Sequence, residues 1–148
     1  MAIVISDARC LILFTNIGRL DILNSLFGQI WITSEVQTEY GFELPDFVLV
    51  RDPADSEIYD SLRQQLDAGE ASSIALASQN PGSKLVIDEK KGRRIAAEMG
   101  LDVTGTVGVL LEASEKGLIQ SNPELVALLV NEGFRLSPRL KKLLSRSA

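Results

Sequence analysis

Five short apolar runs recur along the chain, and segments with helical periodicity separate them. Neighbouring parallel strands need a crossover connection, usually a helix, so this alternation predicts an α/β fold with a parallel sheet flanked by helices. The predicted strands are Ile3–Ser6, Ile30–Thr33, Phe47–Val50, Lys84–Ile87 and Leu101–Thr104. The predicted helical segments are Leu11–Phe14, Leu20–Phe27, Ser34–Tyr40, Ser56–Leu66, Glu70–Ser78, Arg93–Met99, Val107–Lys116, Pro123–Asn131 and Pro138–Arg146.

Residue types at the ends of these segments support the assignment. Ser34 and Gln37 match a capping box, in which each side chain satisfies a free amide of the first helical turn. Gly100, Gly117 and Gly133 stand where predicted helices end. Capping residues precede prolines at two predicted helix starts, Asn122-Pro123 and Ser137-Pro138. No repeat or long linker interrupts the chain, so we expect residues 1–148 to form a single domain.

The composition excludes several classes of protein. With no histidine and one cysteine, Cys10, the chain lacks the ligands of a usual zinc site and the residues of Ser-His-Asp and Cys-His catalysis. It has no apolar run of the roughly 20 residues that span a bilayer, and its first residues do not match a signal peptide. We therefore expect a cytoplasmic protein with no membrane partner, in which any metal ion is a hard cation bound by oxygen.

Charge is unevenly distributed along the chain. The net charge of −5 argues against a protein that coats nucleic acid indiscriminately, yet residues 135–148 contain five basic residues and no acidic one. A second basic cluster follows the fourth predicted strand and consists of Lys90, Lys91, Arg93 and Arg94. This cluster could bind the phosphates of a polyanion with marked salt sensitivity, or it could be a solvated helix face.

Two aspartates directly follow predicted strands. Asp7 comes after the first strand and Asp88 after the fourth. Ligands of open parallel sheets bind at the carboxyl ends of the strands, so both carboxylates are expected at one edge of the sheet. Each aspartate also has a purely structural interpretation, because polar residues are common where strands end and Asp88 could cap the helix that follows it.

Two glutamates lie on predicted helices. Glu39 adjoins the apolar stripe formed by Val36 and Tyr40, and Glu70 shares a face with Ile74 and points toward the sheet. The structural alternatives are an exposed acid at a frayed helix end for Glu39 and a first-turn acid stabilised by the helix dipole for Glu70.

Carboxylates gathered at one point repel one another, and a divalent cation removes that penalty. Mg²⁺ or Mn²⁺ is the natural occupant of an oxygen-only site. One or two such ions can turn water into a nucleophile and stabilise a phosphoryl transition state. If Asp7, Glu39, Glu70 and Asp88 meet, the sequence predicts a metal site acting on a phosphate polymer that the basic cluster grips.

The order of these motifs resembles the PIN-domain superfamily and, within it, the compact prokaryotic branch of VapC-type toxins. The matching segments cover nearly the whole chain; they are "IVISD", "IGRLDILNSLFGQIWIT", "SEVQTEYG", "AGEASSIALAS", "LVIDEKKGRRIAAEMGLDVTGTVGVLLEASEKGLI" and "NEGFRLSP". The longest segment is the most specific, because it combines "IDE-KGRR" with "VTGT-GVLL".

The resemblance implies a three-layer α/β/α fold with a central parallel sheet and Mg²⁺- or Mn²⁺-dependent cleavage of single-stranded RNA. The acidic quartet of the superfamily would be Asp7, Glu39, Glu70 and Asp88, acting as catalytic residues and metal ligands. Glu70 stands where many members carry aspartate. The resemblance also implies a homodimer, and often an antitoxin protein that masks the site.

One segment departs from the pattern of the superfamily. Relatives usually follow the first aspartate with small hydroxyl residues, whereas this chain has Ala8, Arg9 and Cys10. Arg9 could contact phosphate, or it could pair with a carboxylate and displace metal. Thr104 and Thr106 could supply hydroxyls instead, or they could cap the following helix. The expected RNA-binding residues are thus Arg9, Lys90, Lys91, Arg93, Arg94, Thr104 and Thr106.

The departure at Arg9 leaves two alternatives to a nuclease. A PIN-like scaffold that has lost its chemistry would be an RNA- or protein-binding module. Strand-end aspartates also serve enzymes that act on small phosphorylated substrates, although those enzymes favour an Asp-x-Asp pair and Arg9 occupies the second position here.

Overall fold

The computed structural model describes residues 2–54, 56–120 and 123–144. Its strands are β1 (Val4–Ser6), β2 (Ile30–Ile32), β3 (Val48–Val50), β4 (Lys84–Val86) and β5 (Asp102–Thr104). All five are parallel and form one sheet in the order β3-β2-β1-β4-β5. The five predicted strands are confirmed, each one residue shorter than predicted.

Within the described ranges the chain forms nine helices, and every predicted helical segment is confirmed in type. They are α1 (Ala8–Asn16), α2 (Leu20–Phe27), α3 (Ser34–Tyr40), α4 (Ser56–Arg63), α5 (Ala68–Ser78), α6 (Lys90–Glu98), α7 (Thr106–Glu115), α8 (Pro123–Asn131) and α9 (Pro138–Leu144). The end of the last predicted helix, at residues 145–146, lies outside the described residues. Among the helices described, none has the length and apolar character needed to cross a membrane.

Side chains of the strands alternate between the two faces of the sheet, and each face has its own core. Val4 of β1 and Val86 of β4 pack on the side that carries α1, α2, α3, α7, α8 and α9. Ile5 and Leu85, their neighbours in the sequence, pack on the side that carries α4, α5 and α6. Helices cover both faces, which confirms the three-layer α/β/α architecture and explains why β1 and β4 carry apolar residues on both faces.

Helix α5 lies close to its neighbours because its side chains are small. Residues 71–77 are all buried, and the helix packs on β1, β4, α3 and α4. Near its first turn, the Oγ atom of Ser72 is 2.7 Å from Oγ1 of Thr33, the residue after β2. This packing fixes the start of α5 at the edge where β1 and β2 end.

The capping box predicted at Ser34 is wrong by one residue. Thr33, the residue after β2, is extended and caps α3, because its Oγ1 accepts a hydrogen bond from the amide of Val36 at 3.2 Å. The amide and hydroxyl of Ser34 instead donate to the carboxylate of Asp52, at 2.8 and 2.6 Å. At the other end of the chain, the prediction that Ser137 caps a helix is confirmed, since its Oγ accepts from the amide of Leu140 at 3.1 Å.

Two further predictions about helix ends have different outcomes. The three glycines expected to end helices, Gly100, Gly117 and Gly133, all have positive φ angles, which confirms the prediction. The predicted cap at Asn122 lies outside the described residues.

The C-terminal helices pack partly on the body of the domain. Leu125, Leu129 and Leu144 are buried in the core on their side of the sheet. Leu128 and Val130 are exposed, so the apolar surface of α8 is only partly covered by the described residues.

The strand order gives the sheet a switch point between β1 and β4. The chain builds β1, β2 and β3 outward in one direction and then returns to add β4 and β5 on the other side of β1. In open parallel sheets, the crevice outside the carboxyl ends of the two strands at such a point is the usual ligand site. Asp7 and Asp88 follow these two strands.

Candidate active site

Asp7 is fixed by the backbone on both sides of its carboxylate. It follows β1 and caps α1, which begins three residues earlier than predicted. Its Oδ1 accepts from the amide of Cys10 at 3.1 Å, and its Oδ2 accepts from the amide of Asp88 at 2.8 Å. Asp7 is only 8% exposed. These contacts hold the carboxylate of Asp7 against the backbone of Asp88.

Asp88 is fixed by the start of α7. Its Oδ1 accepts from the amide of Thr106 at 2.7 Å, and its Oδ2 accepts from the hydroxyl of the same residue at 2.5 Å. The alternative that Asp88 caps α6 is wrong, because Glu89 is the capping residue and accepts from the amide of Gly92 at 2.8 Å. The side chain of Asp88 is 11% exposed, so it faces the crevice through a narrow opening.

Arg9 lies beside the aspartate pair. Its Nε is 3.7 Å from Oδ2 of Asp88, and its guanidinium carbon is 4.4 Å from the ring centre of Phe134. The side chain is 49% exposed. Of the two roles that the sequence left open for Arg9, the pairing with a carboxylate is observed.

Glu39 and Glu70 reach the same crevice from α3 and α5. Glu39 is exposed at the surface, and Glu70 is half-buried. Glycines stand beside both carboxylates: a Cβ atom on Gly69 would lie 3.2 Å from Oε2 of Glu39, and one on Gly92 would lie 3.0 Å from Oε2 of Glu70. The glycines let the starts of α5 and α6 approach the acids closely.

Two acids that the sequence reasoning missed also line the crevice. Asp67 caps α5, and its Oδ1 accepts from the amide of Glu70 at 2.9 Å. Glu89, the cap of α6, is the other. A usable signal existed for Asp67, since "DAGE" places an acid three residues before Glu70 in the spacing of a capping box.

These side chains line one cleft of about 340 Å³ at the switch point, here called the acidic cleft. All four acids predicted from the sequence lie in it, together with the two that were missed and Arg9. The carboxylates are Asp7, Glu39, Asp67, Glu70, Asp88 and Glu89.

The carboxylates of the acidic cleft repel one another. Burial, followed by repulsion from Asp88, raises the pKa of Asp7 to about 7. Burial, together with the carboxyls of Asp67 and Glu89, raises the pKa of Glu70 to about 8. The pKa of Glu39 is raised as well, mainly by partial desolvation and then by Asp67. Without a counter-ion, protons therefore neutralise part of the cleft near neutral pH.

The donor set fits a hard divalent cation, but the predicted four-ligand cage is not formed. Among the described residues, no group of three or more acidic or cysteine side chains lies close enough to hold one ion. Asp88 is the main charged neighbour that raises the pKa of Asp7, whereas Asp67 and Glu89 raise that of Glu70. Magnesium commonly binds one or two carboxylates and keeps several waters, and each oxygen of Asp7 and Asp88 retains a free lone pair. The aspartate pair would then be the protein's share of such a site.

The predicted RNA-binding residues fall into three groups. Arg93 and Thr104 line a second cavity that adjoins the acidic cleft at Arg9 and Asp88. Thr106 is fully buried and bonded to Asp88, so its hydroxyl orients that carboxylate. Three residues are exposed on α6 and line neither cavity, namely Lys90, Lys91 and Arg94.

Comparison with known proteins agrees with this architecture. A family model described as a PIN domain matches residues 3–148. No curated protein matches the chain. PIN domains are generally nucleases and typically bind divalent metals, and the fold implies a nucleic acid substrate. The match spans nearly the entire chain and includes every residue of the acidic cleft, so this protein belongs to the PIN-domain superfamily.

Proposed function

We propose that this protein is a metal-dependent endoribonuclease that cleaves single-stranded RNA. The observation that carries the proposal is the pair of oriented carboxylates, Asp7 and Asp88, at the switch point of a nuclease-type fold. Four further acids around the pair make the cleft strongly attractive to a cation.

Asp7 and Asp88 would hold Mg²⁺ or Mn²⁺. When bound, such an ion makes water nucleophilic and stabilises the charge that develops on a phosphoryl group. The amides of Cys10 and Asp88 orient the carboxylate of Asp7, and Thr106 orients that of Asp88. Both carboxylates are therefore already in place before substrate binds.

The remaining side chains have supporting roles in this mechanism. Glu39 and Glu70 line the same cleft and would accept hydrogen bonds from water around the ion, with Asp67 and Glu89 adding negative charge. Arg9 stands where its guanidinium could transfer from Asp88 to a phosphate oxygen of the substrate.

The test uses a fluorogenic single-stranded RNA with Mn²⁺ and then with excess chelator. We expect cleavage only with metal, and none from Asp7→Asn. Asp21→Asn is the matched control, because Asp21 is exposed on α2 and pairs with Arg19. Equal cleavage after chelation, or in Asp7→Asn, refutes the proposed mechanism.

We further propose that the enzyme is the homodimeric, cytoplasmic toxin of a toxin–antitoxin pair. The support is the likeness of its motifs to VapC-type toxins. Induced expression should then arrest growth, Asp7→Asn should abolish the arrest, and co-expression of the protein encoded by the adjacent reading frame should relieve it. Arrest by Asp7→Asn at equal expression would contradict this.

A binding module without catalytic activity is the second candidate, and the ion pair between Arg9 and Asp88 favours it. In that case a guanidinium occupies the place of the metal ion. Calorimetric titration with Mn²⁺ separates the two functions: an affinity clearly tighter than millimolar supports the nuclease, and weaker binding supports the module.

A further inference from the structure

A second cavity of about 450 Å³ adjoins the acidic cleft. Arg9 and Asp88 line both and thus form the wall between them. The other side of this second cavity is formed by Arg93 on α6, the start of α7, and residues 133–135 after α8. We call it the basic cavity.

The basic cavity has an excess of positive charge. Arg9, Arg93 and Arg135 line it, against the single carboxylate of Asp88. Arg9 is already paired with that carboxylate and stacked on Phe134. The side chains of Arg93 and Arg135 form no hydrogen bond or ion pair with any described residue. Two fork-shaped donors are therefore free to bind an anion.

The first turn of α7 borders the same space. Gly105, the residue before the helix, has no side chain to cap it. The amide of Thr106 is used by Asp88, but those of Val107 and Gly108 have no acceptor among the described residues. Both residues line the basic cavity. The first turn of α7 thus adds unused amides, and the positive end of its dipole, to the arginine side chains.

Two glycines keep the basic cavity open. A Cβ atom on Gly105 would lie 2.8 Å from Nη1 of Arg93 and 2.9 Å from Oδ1 of Asp88. A Cβ atom on Gly108 would collide with Oγ1 of Thr104. Any larger residue at either position would therefore displace a polar side chain that lines the cavity.

From these contacts we propose that the basic cavity binds a phosphodiester of single-stranded RNA beside the one at the acidic cleft. The inference rests on the proposed function, since the acidic cleft is taken as the place of cleavage. The arginine side chains of the basic cavity then supply binding energy. The RNA strand crosses the wall formed by Arg9 and Asp88. Arg135, near the C-terminal end of the chain, becomes a substrate-binding residue.

The test measures binding apart from cleavage. The anisotropy of a labelled single-stranded RNA is followed in excess chelator at low salt for wild type, Arg93→Ala and Arg135→Ala. The control is Arg139→Ala, because Arg139 is exposed on α9 and lines neither cavity. We expect each cavity variant to bind about tenfold more weakly. The slope of log affinity against log salt should fall by about 0.7 for each lost phosphate contact. Arg135→Lys should recover part of the affinity.

The binding and cleavage assays together distinguish the RNA subsite from the nuclease activity and from a site for free phosphate. Equal binding by Arg135→Ala and Arg139→Ala overturns the subsite, and if wild type still cleaves RNA the nuclease stands without it. Weaker binding only in the cavity variants, from a wild type that never cleaves with Mn²⁺, keeps the subsite and overturns the nuclease. Inorganic phosphate that binds wild type but not Arg135→Ala, and that leaves the RNA bound at millimolar concentration, would assign the cavity to free phosphate and overturn the phosphodiester.

Discussion

The acidic cleft and the basic cavity share a wall but are built differently. In the cleft, three acids each cap a helix and accept a hydrogen bond from a backbone amide, namely Asp7, Asp67 and Glu89. In the basic cavity, the side chains of Arg93 and Arg135 have no hydrogen bond or ion pair with a described residue, and they come from segments about forty residues apart in the chain. Local backbone structure therefore orients the acids of the cleft, whereas the two arginine side chains have no such restraint among the described residues.

The largest expected difference between the two regions is in catalysis. Asp88→Asn should lower kcat by at least about a hundredfold, because it removes a metal-binding charge. Arg93→Ala should instead raise KM by about tenfold and leave kcat nearly unchanged. Steady-state kinetics with Mn²⁺ separate the two effects. A similar loss of kcat in both variants would show that the basic cavity belongs to the reaction centre.

The raised pKa values of the acids in the cleft predict that stability depends on pH. Asp7 titrates near 3.8 when unfolded and near 7 when folded, so between these values the folded state holds the extra proton. Without metal, the free energy of unfolding should therefore fall by a few kcal/mol as the pH rises from about 4 to about 7. Glu70, with a folded pKa of about 8, extends the loss to higher pH, by less because it is half-exposed.

Urea unfolding at a series of pH values measures whether the free energy of unfolding falls as the pH rises. Asp7→Asn should flatten most of the slope, and Mn²⁺ should stabilise wild type more at pH 8 than at pH 5, since protons compete with the ion. Stability that rises through this range in chelator would contradict the electrostatic description of the cleft.

A smaller effect is expected where the two regions are joined to α7. Thr106→Val removes the hydroxyl that donates to Asp88 but keeps the shape of the buried side chain. The free energy of unfolding should fall by about 1–3 kcal/mol. Thr38→Val removes a hydroxyl of an exposed residue and should change it by less than about 0.5 kcal/mol. Equal effects would mean that the bond to Asp88 contributes no special stability.

The smallest change in stability is expected at the shared wall. The ion pair of Arg9 is long and half-exposed, so Arg9→Gln should alter the free energy of unfolding by less than about 1 kcal/mol. Its removal should nevertheless tighten Mn²⁺ binding and weaken RNA binding, because the guanidinium repels the cation and attracts phosphate. Arg19→Gln, which breaks an ion pair on α2, should change neither affinity. Weaker Mn²⁺ binding in Arg9→Gln would reverse the role assigned to Arg9.

The sequence was sufficient for the fold because short apolar runs alternate with helical patterns and several helices carry clear ends. The errors were local. Ser34 precedes Gln37 at the spacing of a capping box, but Thr33, the residue after β2, is extended and its hydroxyl caps α3 instead. The start of α1 was missed because Asp7 was considered only as a strand-end acid, although it caps the helix as well.

The site was less predictable where it depends on tertiary packing. Strand ends located Asp7 and Asp88, and helix faces located Glu39 and Glu70. The charged neighbours of each acid, such as Asp88 beside Asp7 and Glu89 beside Glu70, depend on tertiary packing, which spacing along the chain does not reveal. The role of Arg135 depends on the path of the chain after α8, which no local motif encodes.

The central claim is that Asp7 and Asp88 form the metal-binding centre of the acidic cleft. Anomalous diffraction from crystals soaked in Mn²⁺ tests it most directly. We expect a peak between the two carboxylates, with at least one oxygen of each about 2.1 Å from the ion. A soaked crystal with no peak there, or with Arg9 still paired to Asp88 and manganese bound elsewhere, would contradict the claim.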